Sequence, residues 1–443
     1  MQSDPRATQG VLDRVNSNSF WARSRLWACR STTELGDGSL HSRLASVAQR
    51  IDVSMDAFLN HAELRDLAKR RLPRAIFEYI DRGTEDEVGL RHNRESLDAV
   101  RILPRVLTAG GTRSQAITLF GQACDVPLIA APTACAGLVR FRGEIELARA
   151  AAANGMPFCA ALEAIESLED VTEASEGTVW FQVYVWRDEQ RVSELLSRAW
   201  ALGVRTLVVT LDSPVESKRE YNVRNGFGMP FRPSARNVCD VALHPRWAIG
   251  VLGRYLASGR VPSHSNYPPG YRNTLFASSR PLAYEEDLGW KHMHRLRDAW
   301  KGNLVLKGIL HPEDAILASK LGADGIVVSN HGGRTLDSAV APIEVLPEIA
   351  RAVGDRITIL ADSGVRRGSD VLKLMAAGAK AVMVGRMLLY ATAVDGMTGA
   401  CRAIEILQRE IDSAMAMSGC KDIRGVDVWI RAKGDTDSGK SCR

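Results

Sequence analysis

Gly325-Ile326-Val327-Val328-Ser329-Asn330-His331-Gly332-Gly333-Arg334 is an apolar run that breaks into a histidine, two glycines and an arginine. A short continuous apolar segment closed by polar and glycine residues reads as a strand buried on both faces, as in a covered parallel sheet. Its end presents a base and a fixed cation three residues apart. The intervening glycines leave backbone that a substrate can approach closely. Such a pair suits an anionic substrate that must lose a proton or a hydride. A lone histidine is more often a satisfied loop residue, but of nine histidines only His331 stands at such a strand end.

Outward from this segment the same pattern repeats. Strands are expected at Val126–Pro132, Pro157–Ala161, Thr178–Val185, Thr206–Asp212, Leu304–Ile309, Gly325–His331, Thr358–Gly364 and Ala381–Arg386. Helical segments alternate with them, which is the signature of βαβ units. Eight such units predict an α/β fold, a closed (β/α)8 TIM barrel, in which chemistry collects where strands end. Helices precede it: Phe58, Leu59, Leu64 and Leu67 recur at helical spacing, and Pro73 opens a second helix through Ala75–Ile80 that Gly83 ends. Tyr79 lies just before the turn Arg82–Glu87, where its hydroxyl can face a cleft. After the fourth strand, residues 213–303 form an insertion far longer than an ordinary 2–6-residue loop. A helix is expected there around Arg246–Ser258, with Trp247, Ile249, Val251, Leu252 and Leu256 beside Arg246, Arg254 and Arg260. This helix suits a peripheral membrane contact or packing on the barrel about equally.

Bulk properties narrow the class. The 443 residues are 45% hydrophobic, and 57 basic against 52 acidic side chains give a net charge of +5. That excess is diffuse and lacks the basic, aromatic-interleaved runs that would indicate nucleic acid. Eight cysteines are scattered without C-x-x-C spacing, so neither a zinc site nor a disulfide framework is expected, and no metal site is assigned. Several of them sit in apolar runs and read as buried thiols in a reducing compartment. No apolar run is long enough to span a bilayer. The expected location is therefore cytoplasmic, with a peripheral position at the inner face of the membrane as the variant. Residues 1–50 are rich in Ser and Arg and read as a poorly ordered extension; Val11, Leu12, Val15, Trp21 and Trp27 also allow a short amphipathic membrane-surface or targeting helix. The main domain is expected over 51–430, followed by a disordered Gly/Ser/Asp/Lys-rich tail, 431–443.

The last two strands end in Ala361-Asp362-Ser363-Gly364-Val365-Arg366-Arg367-Gly368 and Val384-Gly385-Arg386. Glycine with arginine in consecutive final units points to a phosphorylated ligand, because barrel phosphate sites are built from these loops and a nearby helix N-terminus. Backbone N–H groups at Gly364 and Gly385 and the forks of Arg366 and Arg386 would hold it. Lys307 ends the apolar run Leu304–Leu306, where a cation can stabilise negative charge on a ligand ring. Gln182 with Tyr184, and Thr210 with Asp212, are in-phase polar pairs on apolar strands, which face a ligand or spoil a core.

Taken together, the chain resembles the FMN-dependent 2-hydroxy acid oxidases and dehydrogenases, which include glycolate oxidase, flavin lactate dehydrogenase and mandelate dehydrogenase. The resemblance covers about residues 52–425. It is carried by Ala131-Pro132-Thr133-Ala134, Phe181–Tyr184, Lys307-Gly308, Ser329–Arg334 and Asp362–Gly368. Leu243-His244-Pro245-Arg246-Trp247 looks most like the bacterial lactate and mandelate dehydrogenase branch. The resemblance implies oxidation of an L-2-hydroxy acid to a 2-keto acid. His331 would be the base, Asp212 its orienting carboxylate, and Tyr184 a partner of the substrate hydroxyl. Arg334 and Tyr79 would clamp the substrate carboxylate, with Arg219 as a second cation. FMN would be held by Thr133, Ala134, Gln182, Thr210, Lys307, Ser329, Asp362, Gly364, Arg366, Gly385 and Arg386. A quinone, a cytochrome or oxygen would take the electrons onward, and the family resemblance implies a homo-tetramer.

Three residues depart from the pattern. Ala161 replaces a hydroxyl residue after the second strand, Glu163 stands where the substrate side-chain pocket is lined, and Thr335 replaces a glutamine. Two further readings accompany the dehydrogenase: an oxygen-using oxidase, and a barrel that binds FMN or an anionic metabolite without turnover.

Overall fold

A computed structural model describes residues 58–108, 111–426 and 429–431. The expectations for the N-terminal extension and for the tail beyond Arg431 lie outside the described residues. Eight parallel strands close into a barrel: β1 Leu128–Ala130, β2 Phe158–Ala161, β3 Val179–Val183, β4 Thr206–Thr210, β5 Asn303–Ile309, β6 Gly325–Val328, β7 Thr358–Ala361 and β8 Ala381–Val384. Closure is made by β8 against β1, with Val382, Met383 and Val384 opposite Leu128, Ile129 and Ala130. Every residue of β1, β2, β4, β6 and β8 is buried, as strands covered by helices on one face and closed on the other must be. Each expected strand is present; β2 and β5 keep their expected ends at Ala161 and Ile309, and the other six are trimmed at the C-terminal end, so the polar residues that closed those runs lie in the loops above the barrel.

Among the described residues three helices precede the barrel: α1 His61–Arg71, α2 Arg74–Asp81 and α3 Val88–Ala99. Asn60 caps α1 by accepting from the N–H groups of Ala62 and Glu63. Within α1 and just ahead of it, Leu64 and Phe58 are buried, whereas Leu59 is exposed. α2 ends at Asp81, and its last carbonyls face the barrel mouth. Trp429–Arg431 pairs antiparallel with Arg101–Leu103, so ordered pairing continues one residue past the expected domain end.

The insertion between β4 and β5 carries short helices, including Ala235–Leu243 and a continuous helical path through Pro245–Trp247, a π turn at Ala248–Gly253 and Arg254–Ala257. The expected helix is therefore present, with a widened middle turn. Trp247, Val251 and Tyr255 pack inward, and the Trp247 indole donates to the Leu138 carbonyl at 2.8 Å. Ile249 and Leu256 are exposed, as is Leu243 just before it.

Candidate active site

A cavity of about 1120 Å³ opens at the C-terminal ends of the barrel strands. At its centre His331 Nδ1 meets Asp212 Oδ1 at 2.9 Å. Asp212 stands two residues beyond β4 and His331 three beyond β6, so the strand ends bring together groups 119 residues apart. His331 has φ 57°, a left-handed conformation uncommon for a residue with a side chain and typical of functional positions. The Ser329 hydroxyl fixes the turn by accepting from His331 N at 3.0 Å. Burial lowers the imidazole's pKa; Asp212 opposes this and Lys307 reinforces it, and the net direction is downward. The ring is thus neutral at neutral pH. Burial also opposes the charge of Asp212, but His331 and Lys307 outweigh it and keep the carboxyl below its ordinary pKa.

Asp212 has room because of Gly308. A register shift between Lys307 and Ile309 bulges β5 there, with Gly308 at φ +103°. A Cβ on Gly308 would stand 2.6 Å from the Asp212 Cβ.

Two arginines and two tyrosines face the same space. Arg334 Nη1 donates to the carbonyls of Tyr79 at 2.7 Å and Arg82 at 2.9 Å, so the end of α2 anchors one side of the guanidinium. Burial, with the nearby charge of Arg219, brings its pKa down to about 10, still cationic at neutral pH. Arg219 also lines the cavity, and its buried Nε has no hydrogen-bond partner among the described residues. Tyr79 stacks on Phe227, ring centroids 4.3 Å apart. Burial raises both the Tyr79 and Tyr184 hydroxyls above the usual phenol pKa, so both remain donors.

The other end of the cavity carries the expected phosphate loops. Arg366 and Arg386 line it with Gly364, Gly385, Thr133 and Ala134. Arg386 is tied to the carbonyls of Ile80 and Gly332 at 3.1 and 2.9 Å, whereas no protein hydrogen bond holds the Arg366 guanidinium among the described residues. Asp370, itself gripped by Arg94, accepts from the N–H groups of Arg366 and Arg367 at 3.0 Å and shapes the loop. Between the two ends lie Gln182, which donates to the Thr210 hydroxyl at 2.9 Å, and Lys307, 3.2 Å from Asp362. Burial opposes the charge of Lys307, but Asp362 and Asp212 prevail and hold its pKa above the ordinary value. A buried permanent cation, unengaged arginine N–H groups and a Cβ-free turn at Gly385 are a donor set that fits a phosphorylated, electron-accepting ring.

Of the candidate residues, Asp212 and Ser329 do not line the cavity: Asp212 supports His331 from behind, and Ser329, fully buried, also accepts from Lys307 Nζ at 2.9 Å. The glycines act differently from the expected open approach. A Cβ on Gly333 would meet Leu90 N at 2.5 Å, and one on Gly364 would meet the Asn93 carbonyl at 3.0 Å. Both make room for α3. That helix also exchanges a reciprocal amide pair with the loop that bears His331, Asn93 to Asn330 at 2.9 Å and Asn330 to Asn93 at 2.7 Å. Asn93 is buried, and no motif marks it in the sequence.

This fold and site define a flavin-dependent barrel oxidoreductase. The chain belongs to the FMN-dependent dehydrogenase family, whose model matches residues 68–430, and FMN is its cofactor. An L-lactate dehydrogenase of Caulobacter vibrioides (strain NA1000 / CB15N) is 40% identical over 373 residues, covering 84% of this chain and 97% of that protein. One from Pseudomonas syringae pv. syringae (strain B728a) is 38% identical over 376 residues, covering 84% and 98%. Among solved structures, a monotopic membrane protein, (S)-mandelate dehydrogenase, superposes with TM-score 0.77 at 35% identity, covering 85% of this chain and all of that one. A mandelate oxidase variant with (S)-mandelic acid gives 0.73 at 33% identity, covering 85% and 99%. The protein is accordingly an oxidoreductase of the class acting on 2-hydroxy acids.

Proposed function

We propose that the protein oxidises an L-2-hydroxy acid to the 2-oxo acid, with His331 as the base. The observation that carries this reading is the His331–Asp212 pair facing a cavity that also presents Arg334, Arg219, Tyr79 and Tyr184. Asp212 occupies Nδ1, which leaves Nε2 of a neutral ring to take the substrate proton. As the ring becomes cationic, the adjacent carboxylate stabilises it. Arg334, fixed by the α2 carbonyls, and Arg219 would clamp the substrate carboxylate with the Tyr79 hydroxyl. Tyr184 would donate to the 2-oxygen. Such fixed positioning of the reacting groups supplies much of the rate. FMN, when bound, supplies the two-electron acceptor. Thr133, Ala134, Gln182, Thr210, Lys307, Asp362, Gly364, Arg366, Gly385 and Arg386 would hold it, with Ser329 acting through Lys307.

Anaerobic addition of L-lactate, L-mandelate and glycolate to the purified flavoprotein tests the reading. Bleaching of the flavin bands by at least one acid is expected, with a loss of about 10²-fold or more in His331→Ala. Full activity in that variant removes the assignment. A flavin that no hydroxy acid reduces favours the binding-only barrel.

The insertion supports a reading of the onward acceptor. Leu243, Ile249 and Leu256 are 79, 72 and 60% exposed, and Arg246 and Arg254 are exposed beside them. Apolar side chains flanked by cations suit the surface of an anionic bilayer. With the monotopic mandelate dehydrogenase as a structural neighbour, this supports peripheral attachment and a membrane quinone or cytochrome as acceptor. Among the described residues no helix is long and apolar enough to cross a membrane. Co-sedimentation with phosphatidylglycerol vesicles that Ile249→Ser/Leu256→Ser abolishes is expected; hydrogen peroxide formed one for one with 2-oxo acid would support the oxidase instead. The homo-tetramer is part of this proposal and is tested by light scattering.

A further inference from the structure

Glu163 lies two residues past β2, and its side chain lines the catalytic cavity. One oxygen is engaged: Tyr284, from the insertion, donates to Oε1 at 2.7 Å. The Tyr284 hydroxyl is in turn hydrogen-bonded to that of Tyr267, and the Tyr284 ring sits 5.2 Å from the ring of Tyr184. The insertion seats these tyrosines on the loop that bears Glu163. Ser265 N donates to the Ala164 carbonyl at 3.2 Å, the Ser265 hydroxyl to the Ile165 carbonyl at 2.6 Å, and Asn266 to the Ala161 carbonyl at 3.2 Å. The carboxylate is thus held by the Tyr284 hydroxyl, which Tyr267 braces in turn.

No cation lies within ion-pair distance of Glu163 among the described residues. His264, the titratable ring beside Tyr267, is held neutral by burial despite the pull of Glu163. A half-buried carboxylate with one oxygen pinned and the other unengaged among the described residues is an open acceptor in the wall of the cavity that Tyr184 also lines. An apolar substrate side chain packed there would strip water from it without replacing the hydrogen bond. A side chain ending in a donor would complete it.

We infer that Glu163, presented by Tyr284, forms the side-chain subsite and selects L-2-hydroxy acids that end in a hydrogen-bond donor, an ammonium above a hydroxyl, against apolar and acidic ones. This rests on the reading of the cavity as a 2-hydroxy acid site. The discrimination is roughly 10- to 10²-fold for a donor over a matched methyl group.

The test compares the holoenzyme with Glu163→Gln and Glu163→Leu on the hydroxy analogues of ornithine and lysine, L-glycerate, L-lactate, L-mandelate and L-malate. Two readouts are taken: kcat/KM for flavin reduction, and Kd for the matching 2-oxo acids from perturbation of the flavin spectrum. The expected order is ammonium, hydroxyl, apolar, carboxylate in both. Glu163→Gln loses the ammonium preference while keeping that for hydroxyl, and Glu163→Leu brings the apolar acids to the top. If the leucine variant does not retain flavin, the glutamine variant decides. Lactate or mandelate preferred by the wild type, with an order that neither variant changes, overturns the inference and leaves the reaction intact. Kd values that follow Glu163 while no acid reduces the flavin sustain the subsite and overturn the reaction.

Discussion

Replacing Gly308 by alanine tests how the barrel positions its base. The new Cβ would stand 2.6 Å from the Asp212 Cβ and 2.7 Å from its Cγ, in a backbone with φ +103°. The left-handed conformation alone costs about 1–2 kcal/mol for a residue with a side chain. Relief of the contact requires a retreat of Asp212 of roughly 0.8 Å toward ordinary van der Waals separation. Its bond to His331 is 2.9 Å, so a shift of that size takes it out of good hydrogen-bonding range. Misplacement on the ångström scale costs about 10²-fold in rate. The assay is the rate constant of flavin reduction under anaerobic stopped flow, with flavin content measured alongside to separate chemistry from cofactor loss. Asp212→Asn alone should lose about 10- to 10²-fold, the worth of a hydrogen bond to a charged group. Because both changes break the same contact, the double variant should be no slower than the slower single. Wild-type reduction in Gly308→Ala, or losses that multiply in the double variant, would refute the reasoning.

The acid limb of kcat/KM should lie below the ordinary histidine pKa, since burial favours the neutral ring and the base is lost as pH falls through its lowered pKa. Asp212 raises that pKa and Lys307 lowers it, so Asp212→Asn should move the limb to lower pH and Lys307→Met to higher pH; a pH–rate series checks both. Arg366→Ala should weaken FMN binding about 10- to 10²-fold with little change in apoprotein Tm, because no protein bond holds its guanidinium among the described residues. Arg386→Ala, tied to Ile80 and Gly332, should lower both; apoprotein titration with FMN and thermal unfolding distinguish the two. Asn93→Leu should cost about 1–3 kcal/mol by leaving one Asn330 N–H buried without an acceptor while the amide keeps the Val340 carbonyl, and slow reduction as the His331 loop loosens, read by thermal unfolding and stopped flow.

What the sequence disclosed and what it hid divide along a physical line. Each barrel strand is a local apolar run, so β1 to β8 were legible from residue order alone. His331, the in-phase pairs Gln182 with Tyr184 and Thr210 with Asp212, and the terminal glycine–arginine loops were legible because each sets polar residues at or near a strand end; the pairing of Asp212 with His331 came from the family resemblance. Contacts between segments far apart in sequence were not. Nothing near Gly333 or Gly364 announces that their missing side chains admit α3, since the atoms a Cβ would strike belong to Leu90 and Asn93. Gly308 matched a family motif, but its reason is Asp212, which sits on a different strand end. The expected helix at Arg246–Ser258 was legible as a helix, yet its burial is split: Trp247, Val251 and Tyr255 face the protein while Ile249 and Leu256 face outward.

Glu163 shows the same division within the site. As a departure from the family pattern it was visible at once, but its consequence depends on Tyr284, 121 residues later. The proposed base, the phosphate loops and the clamp residues Arg334 and Tyr79 come from strand ends and α2, whereas Arg219 comes from the insertion. The group that holds Glu163 comes from the insertion. The proposed base and the group that presents Glu163 therefore rest on different parts of the chain, joined where the Tyr184 and Tyr284 rings meet. It follows that Tyr284→Phe, which frees the Glu163 carboxylate without touching His331, should blunt the preference among substrates while leaving the acid limb of the pH profile in place. A shifted limb would mean that the insertion also sets the electrostatics of the base.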